Sequence, residues 1–170
     1  MQVVIGLGSN LGDRLTHLQA ARQAFSALPY TRLLASSSVY ETPAWGAHEG
    51  TGAVPAYLNA CLLLDYTAPV ESLLGACWGI EASLGRLRAT PSGNVASAYQ
   101  NRCLDADILF ADDYSVASST LTVPHPRLAL RAFALVPACE IWAHPKLLAW
   151  LKTPSVQVDA DQLKLVHTDW

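Results

Sequence analysis

Asp105 and Asp107 stand two residues apart in the stretch Asn101-Arg102-Cys103-Leu104-Asp105-Ala106-Asp107-Ile108-Leu109-Phe110. Ile108, Leu109 and Phe110 are strand formers and Asp112-Asp113 is a turn signal, so the stretch reads as a short strand. Side chains two apart on a strand share a face, which sets the two carboxylates side by side with Cα atoms roughly 6.5–7 Å apart. Leu104, Ala106 and Ile108 then face a core. Two neighbouring carboxylates on an apolar strand repel each other unless a cation lies between them. Mg²⁺ suits such a pair, because it is held by one or two carboxylates while phosphate oxygens and water fill its octahedron. The plainer reading is a solvated strand end, and these ten residues leave both open.

The surroundings suit an anionic small molecule. The chain has 170 residues and a formal net charge of −3, so it lacks the basic face of a general nucleic-acid binder. Five of its eight arginines (Arg86, Arg88, Arg102, Arg127 and Arg131) nevertheless fall between residues 86 and 131. A local positive cluster on an acidic protein favours a small anion over a polymer. Hydrophobic content of 51% against 15% charged indicates one compact domain over residues 1–170. No apolar run is long enough to span a bilayer, and Gln2 to Gly6 enters a strand without a basic leader, so a cytoplasmic protein is expected. Cys61, Cys77, Cys103 and Cys139 form no CxxC pair and each sits among apolar residues, as buried free thiols would.

The elements that must position these residues follow in order. Val3 to Gly8 reads as a buried strand ending in the turn Gly8-Ser9-Asn10-Leu11-Gly12-Asp13, with Asp13 placed to cap a helix over 14–28. The turn lacks phosphate-loop spacing, so a structural role is expected of it. Residues 31–41 read as a second strand and 56–66 as a third, the latter with Tyr57, Asn59, Cys61 and Leu63 on one face. Asn59 could offer its amide to a ligand or to neighbouring backbone. Between these strands, 41–55 is a long loop. Pro69 opens a second helix with Leu73, Leu74, Cys77, Ile80 and Leu84 as its buried stripe, and Gly85 ends it. A second loop over 89–98 leads to the double-Asp strand. The order is βαββαβ, an α+β, ferredoxin-like antiparallel sheet with helices packed on it. Beyond it, 114–122 bridges to Pro124-His125-Pro126-Arg127, 128–138 and 146–152 read as helices, and 155–166 as a strand, forming a C-terminal extension.

Several motifs in this order resemble the 6-hydroxymethyl-7,8-dihydropterin pyrophosphokinase family of folate biosynthesis. They are Gly8 to Asp13, Ser38-Val39-Tyr40-Glu41-Thr42-Pro43, Tyr57-Leu58-Asn59-Ala60, Glu81 with Gly85-Arg86-Leu87-Arg88, Arg102-x-Leu104-Asp105-x-Asp107-Ile108, and Val123-Pro124-His125-Pro126-Arg127 with Arg131-x-Phe133. The resemblance covers about residues 1 to 145. It implies transfer of diphosphate from ATP to the hydroxymethyl oxygen of the pterin, leaving AMP. It further implies that Asp105 and Asp107 hold two Mg²⁺ ions with ATP, that Arg86 and Arg102 meet the phosphates with Arg88 as a helper, and that His125 and Arg131 bind ATP. The pterin would lie between Tyr57 and Phe133, with Asn59 on its edge and Thr42, Pro43 and Trp45 around it. Glu81 matches a recurrent acid that an arginine salt bridge would explain equally well. No general base stands out; positioning and metal activation can suffice.

The chain departs from the family's usual pattern. Ala89 to Asn101 holds no Lys or Arg, Tyr99 stands where a lid tryptophan is usual, and Cys103 and Ala106 replace the more common Thr and Leu. Two rival functions share the residues: a metal-dependent phosphohydrolase using the same Asp pair, and a non-catalytic ferredoxin-like module such as an RNA-recognition domain. The second needs aromatic readers and a basic sheet face, which the sequence lacks. The expected partners are ATP and the pterin, with no nucleic acid and no membrane, and the expected state is a monomer.

Overall fold

A computed structural model describes residues 1–43, 55–86, 102–112 and 114–170. The elements run β1 (Gln2–Ser9), α1 (Arg14–Ser26), β2 (Thr31–Ser36), β3 (Val39–Thr42), β4 (Tyr57–Tyr66), α2 (Val70–Ser83) and β5 (Asp105–Ala111). Then come a two-stranded ribbon of β6 (Val116–Ala117) and β7 (Thr122–Val123), a 3₁₀ turn (Leu128–Leu130), α3 (Ala132–Ile141), α4 (Pro145–Leu151), α5 (Pro154–Ala160) and β8 (Lys164–His167). The main sheet has the order β5-β1-β4-β3-β8, with β2 also paired to β4, and every pairing is antiparallel. This is the expected α+β sheet.

Strand alternation splits the core in two. Val3, Ile5, Leu58, Leu62, Leu104, Ala106 and Ile108 pack with Leu18 and Phe25 of α1 and Leu73, Cys77 and Ile80 of α2. Val4, Cys61, Leu63, Leu109 and Phe110 pack on the opposite face with Leu135 and Ala138 of α3, Leu147 of α4 and Val156 of α5. A bulge in β5 shifts the register from Ile5↔Ile108 to Val4↔Phe110, so Leu109 and Phe110 both turn to the α3 side.

The structure corrects several expectations. Residues 31–41 are two strands, because the Ser37 side chain interrupts the ladder: its N–H still donates to the Cys61 carbonyl at 2.9 Å, but the Cys61 N–H returns at 2.8 Å to the Ser37 hydroxyl, which itself donates to the Ser38 carbonyl at 2.7 Å. The bridge over 114–122 contains the β6 strand and the start of β7. The helix expected over 128–138 is a 3₁₀ turn and a separate α3, parted by Arg131 in extended conformation (φ −120°, ψ 94°). The first half of the strand expected over 155–166 is α5, which Pro154 opens at its first turn, and the extended segment is Lys164–His167. Cys61 and Cys77 are buried free thiols, but Cys103 and Cys139 are only half-buried.

Candidate active site

On the α3 side, β1 carries no side chain at Gly6 and Gly8, which face Asp107 and Asp105 on one neighbour and Cys61 and Asn59 on the other. The missing side chains open a floor between β4 and β5. Above it lies a cavity of about 260 Å³ lined by Thr42, Pro43, Tyr57, Asn59, Arg86, Arg102, Asp105, Asp107, His125, Arg127, Arg131 and Phe133, among others.

Each wall has a local cause. Helix α2 ends in a Schellman turn: the Arg86 N–H donates to the Glu81 carbonyl at 3.0 Å, the Gly85 N–H to Ala82 at 3.1 Å, and Gly85 takes φ +90°. That turn swings Arg86 back over its own helix, where its Nη1 pairs with both Glu81 Oε1 and Asp105 Oδ1. Glu81 is 1% exposed, and the same oxygen accepts the Ala106 N–H at 2.9 Å. Its charge is therefore paired and bonded, as burial requires. The turn after β1 holds the other arginine: the Arg102 N–H donates to Asn10 Oδ1 at 2.8 Å, the Asn10 N–H returns to the Arg102 carbonyl at 3.2 Å, and Arg102 Nη1 sits 2.8 Å from Asp105 Oδ2. The turn's structural role is as expected.

Asp105 is thus gripped by an arginine on each oxygen. Asp107 is not, and burial together with the Asp105 charge pushes its carboxyl up to about 6, against the pull of Arg131 and Arg86. A site that resists its own second negative charge is one that a cation would relieve. Among the described residues no group of three or more His, Cys, Asp or Glu is arranged to hold a metal ion by itself. The donor set therefore fits an ion that keeps water and phosphate oxygens, as Mg²⁺ does, rather than one needing an all-protein cage.

The opposite wall is cationic. The His125 N–H donates to the Leu109 carbonyl at 2.8 Å, and its Nδ1 accepts the Arg127 N–H at 3.2 Å, which leaves Nε2 as the protonated nitrogen of the neutral ring. Burial, then Arg131 and Arg127, pulls this imidazole down to about 4, so it is neutral at pH 7. Arg131 lies 5.6 Å from the centre of the Phe133 ring. Four arginines against Asp105, Asp107 and the buried Glu81 leave a positive excess suited to a polyphosphate.

A flat, less charged end adjoins this one. Tyr57 and Phe133 both line it, and Thr42 lies opposite Tyr57 on β3. Asn59 Nδ2 donates to Thr42 Oγ1 at 2.9 Å, which turns its Oδ1 toward the floor beside Gly8. One end of the cavity can hold phosphates and the other a planar heterocycle with N–H groups.

A family model described as 7,8-dihydro-6-hydroxymethylpterin-pyrophosphokinase (HPPK) matches residues 4–143. The chain belongs to that family. The 2-amino-4-hydroxy-6-hydroxymethyldihydropteridine pyrophosphokinase of Methylorubrum extorquens is 36% identical over 137 residues, covering 81% of this chain and 80% of that protein. Its namesake in Synechocystis sp. is 33% identical over 146 residues, covering 84% and 69%. A crystal structure of an HPPK-DHPS in complex with substrates matches with a TM-score of 0.52 at 13% identity over 82% of this chain. The chain spans 40% of that longer chain, and the likeness speaks to the fold alone.

Eleven residues expected at an HPPK-type site line the one cavity: Thr42, Pro43, Tyr57, Asn59, Arg86, Arg102, Asp105, Asp107, His125, Arg131 and Phe133. Trp45, Arg88 and Tyr99, and most of the two loops, lie outside the described residues. Arg127, Gly6 and Gly8 were not assigned to the site from the sequence, yet they line it. Two glycines at strand spacing are a legible signal of a bared sheet face. Glu81 is the arginine partner that its sequence position allowed.

Proposed function

We propose that Asp105, Asp107, Arg86 and Arg102 form the phosphate-transfer centre of this cavity and that Tyr57, Asn59 and Phe133, with Thr42 and Pro43, hold the acceptor. The chain is a diphosphokinase of folate biosynthesis, moving diphosphate from ATP to 6-hydroxymethyl-7,8-dihydropterin. In that reaction the hydroxymethyl oxygen attacks the β-phosphorus, the bond from that phosphorus to the α,β-bridging oxygen breaks, the hydroxyl proton is released and AMP leaves. The observation that carries our assignment is the joining of a doubly acidic, arginine-rich end and an aromatic, amide-edged end in one cavity.

Each residue has a part that its geometry supports. Arg86 and Arg102 would turn their forked donors to the non-bridging oxygens, being already poised 19 and 3 residues of chain away from the carboxylate they now hold. His125, neutral, would donate from Nε2 without adding charge, while Arg127 and Arg131 offset the remaining negative charge of the nucleotide. Asn59 Oδ1 would accept a ring N–H of the pterin, with Tyr57 and Phe133 on its faces. Asp105 and Asp107 would hold two Mg²⁺ ions together with ATP; when bound, such ions neutralise charge on the transferring group and align both oxygens. No residue need act as a strong base, because orientation supplies much of the rate.

No helix among the described residues is long and apolar enough to cross a membrane. We take the chain to be a cytoplasmic monomer working on two dissolved small molecules. The test is a single assay with ATP, Mg²⁺ and the hydroxymethyl pterin, followed for AMP and pterin diphosphate. AMP that forms only when the pterin is present supports transfer. Orthophosphate released from ATP alone would instead make the protein a phosphohydrolase, and no AMP at all would remove the assignment.

A further inference from the structure

Helix α3 carries Phe133 in its first turn and Glu140 in its last. Seven residues is close to two helical turns, so both project from nearly the same face, roughly 10 Å apart along the axis. On the facing strand, Ser38, Tyr40 and Thr42 alternate onto the α3 side. The two ends of this arrangement differ. At one, Thr42 and Phe133 line the cavity. At the other, a single carboxylate joins helix to strand: Glu140 Oε1 accepts the Ser38 N–H at 2.9 Å and its hydroxyl at 2.7 Å, and Oε2 accepts the Tyr40 hydroxyl at 3.0 Å.

This carboxylate fixes β3 directly to α3. The strand is four residues long, pairing with β4 from Tyr40 to Thr42 and with the short β8 from Val39 to Glu41. The helix contains Pro137, which has no N–H to give to the Phe133 carbonyl four residues back, so its own ladder is weakened where Phe133 sits. Glu140 is exposed as a whole residue, but Ser38 is 8% exposed, and Tyr40 is pushed up to about 12 by burial and by its bond to this carboxylate. A surface acid that aims both oxygens inward at three donors acts as a bolt rather than a solvated charge.

We propose that Glu140 is a positioning residue for the acceptor end of the cavity: by bolting α3 to Ser38 and Tyr40 it sets the spacing between Phe133 and the Thr42–Asn59 edge. It touches no substrate. The inference rests on the functional reading above in naming the pterin as the ligand affected. The two aspartates, Arg86 and Arg102 hang on α2, β5 and the turn after β1, none of which Glu140 meets among the contacts above, and Arg131 precedes α3 at the end far from Glu140, so the effect should fall mainly on the pterin.

The experiment compares wild type, Glu140→Ala, Glu140→Gln and Tyr40→Phe for binding of the hydroxymethyl pterin and of a non-hydrolysable ATP analogue, each with its Tm. Glu140→Ala is expected to weaken the pterin about tenfold and the analogue less than about twofold. Glu140→Gln keeps an acceptor for Ser38 and should recover most of that loss. Tyr40→Phe removes one hydroxyl, is the variant least able to unfold the protein, and should show a smaller change of the same selectivity. In a Phe133→Ala background the Glu140→Ala effect on the pterin should vanish, since the residue through which it acts is gone. A lowered Tm with both affinities unchanged, or with both reduced equally, would overturn the proposal, as would additivity with Phe133→Ala. A wild type that binds the analogue and not the pterin would overturn the functional reading itself, and the inference with it.

Discussion

Arg102 meets Asp105 at 2.8 Å, Nη1 to Oδ2, while Arg86 occupies the other carboxylate oxygen. One acid therefore holds both phosphate-facing arginines in place before any nucleotide arrives. Substitution of Asp105 by Ala removes a proposed metal ligand and the group that orients both arginines. It should lower the rate of AMP formation on the order of 10³-fold or more. The fold should persist, because Asp105 is 27% exposed in its side chain and Arg86 keeps Glu81 as partner. Loss of turnover with an unchanged circular dichroism spectrum is the expected result; near-normal turnover would remove Asp105 from the centre.

Asp107 should show the opposite balance between stability and activity. Its carboxyl titrates at about 6 in the folded chain against 3.8 ordinarily, mainly through burial and then through the Asp105 charge. Between those values the folded state holds a proton that the unfolded state has lost, so stability falls as pH rises from about 4 to 6 and stays reduced above. Asp107→Asn removes that penalty. At pH 7 to 8, without ligand, the variant should unfold at a higher temperature, by roughly 2–4 °C for each kcal/mol relieved, and should make no AMP. Below pH 4 its advantage should disappear. A variant less stable than wild type at pH 8 would mean that the carboxylate is already satisfied in the empty protein.

Two-residue alternation made much of this site legible. It set Asp105 beside Asp107 and Tyr57 beside Asn59, and the structure keeps both pairs on the α3 side of the sheet. Local signals were also enough for Asp13, whose side chain accepts the Thr16 N–H, and for Gly85 at the end of α2. What stayed hidden depends on partners far away in sequence. The break at Ser37-Ser38 is fixed by Cys61 and by Glu140, the latter 102 residues from Ser38. For Glu81 the arginine pairing was legible, but its burial and its bond from the Ala106 N–H, 25 residues on, were not. The Val156-Gln157-Val158 run alternates like a strand, yet Pro154 starts a helix there and buries Val156 in the α3 layer.

The C-terminal residues beyond the family match should matter for stability more than for chemistry. Trp170 is 7% exposed in the α1 side of the core, donates from Nε1 to the Ser37 carbonyl at 2.7 Å, and has the Arg22 guanidinium 5.1 Å from its ring centre. With β8 paired along β3, it covers the sheet edge next to the Ser37 break. Trp170→Ala should cost about 3–5 kcal/mol, in the range for deleting a large buried ring. The measurement is urea unfolding, with a lower midpoint and an unchanged slope. Trp170→Phe should recover part of the loss but not the Ser37 bond. A midpoint within experimental scatter of wild type would show that the edge is held by β8 alone.

The floor of the cavity allows a sharper test of where the acceptor lies. A Cβ added at Gly6 would come within 2.7 Å of Leu109 Cδ1, so Gly6→Ala must push that side chain aside. A Cβ at Gly8 would meet Asn59 Oδ1 at 3.6 Å, Asp105 Cβ at 3.8 Å and Tyr57 Cδ1 at 3.9 Å, all ordinary contacts. Gly8→Ala should therefore fold with nearly the wild-type Tm while placing a methyl group between the residue proposed to read the pterin edge and the residue proposed to hold metal. The ring would be lifted off its floor and misplaced by about an ångström, enough to cost up to about 10²-fold in turnover. The KM for the pterin should rise while that for ATP moves less. Unchanged kinetics for both substrates would place the pterin away from β1 and disconnect Asn59 from its recognition.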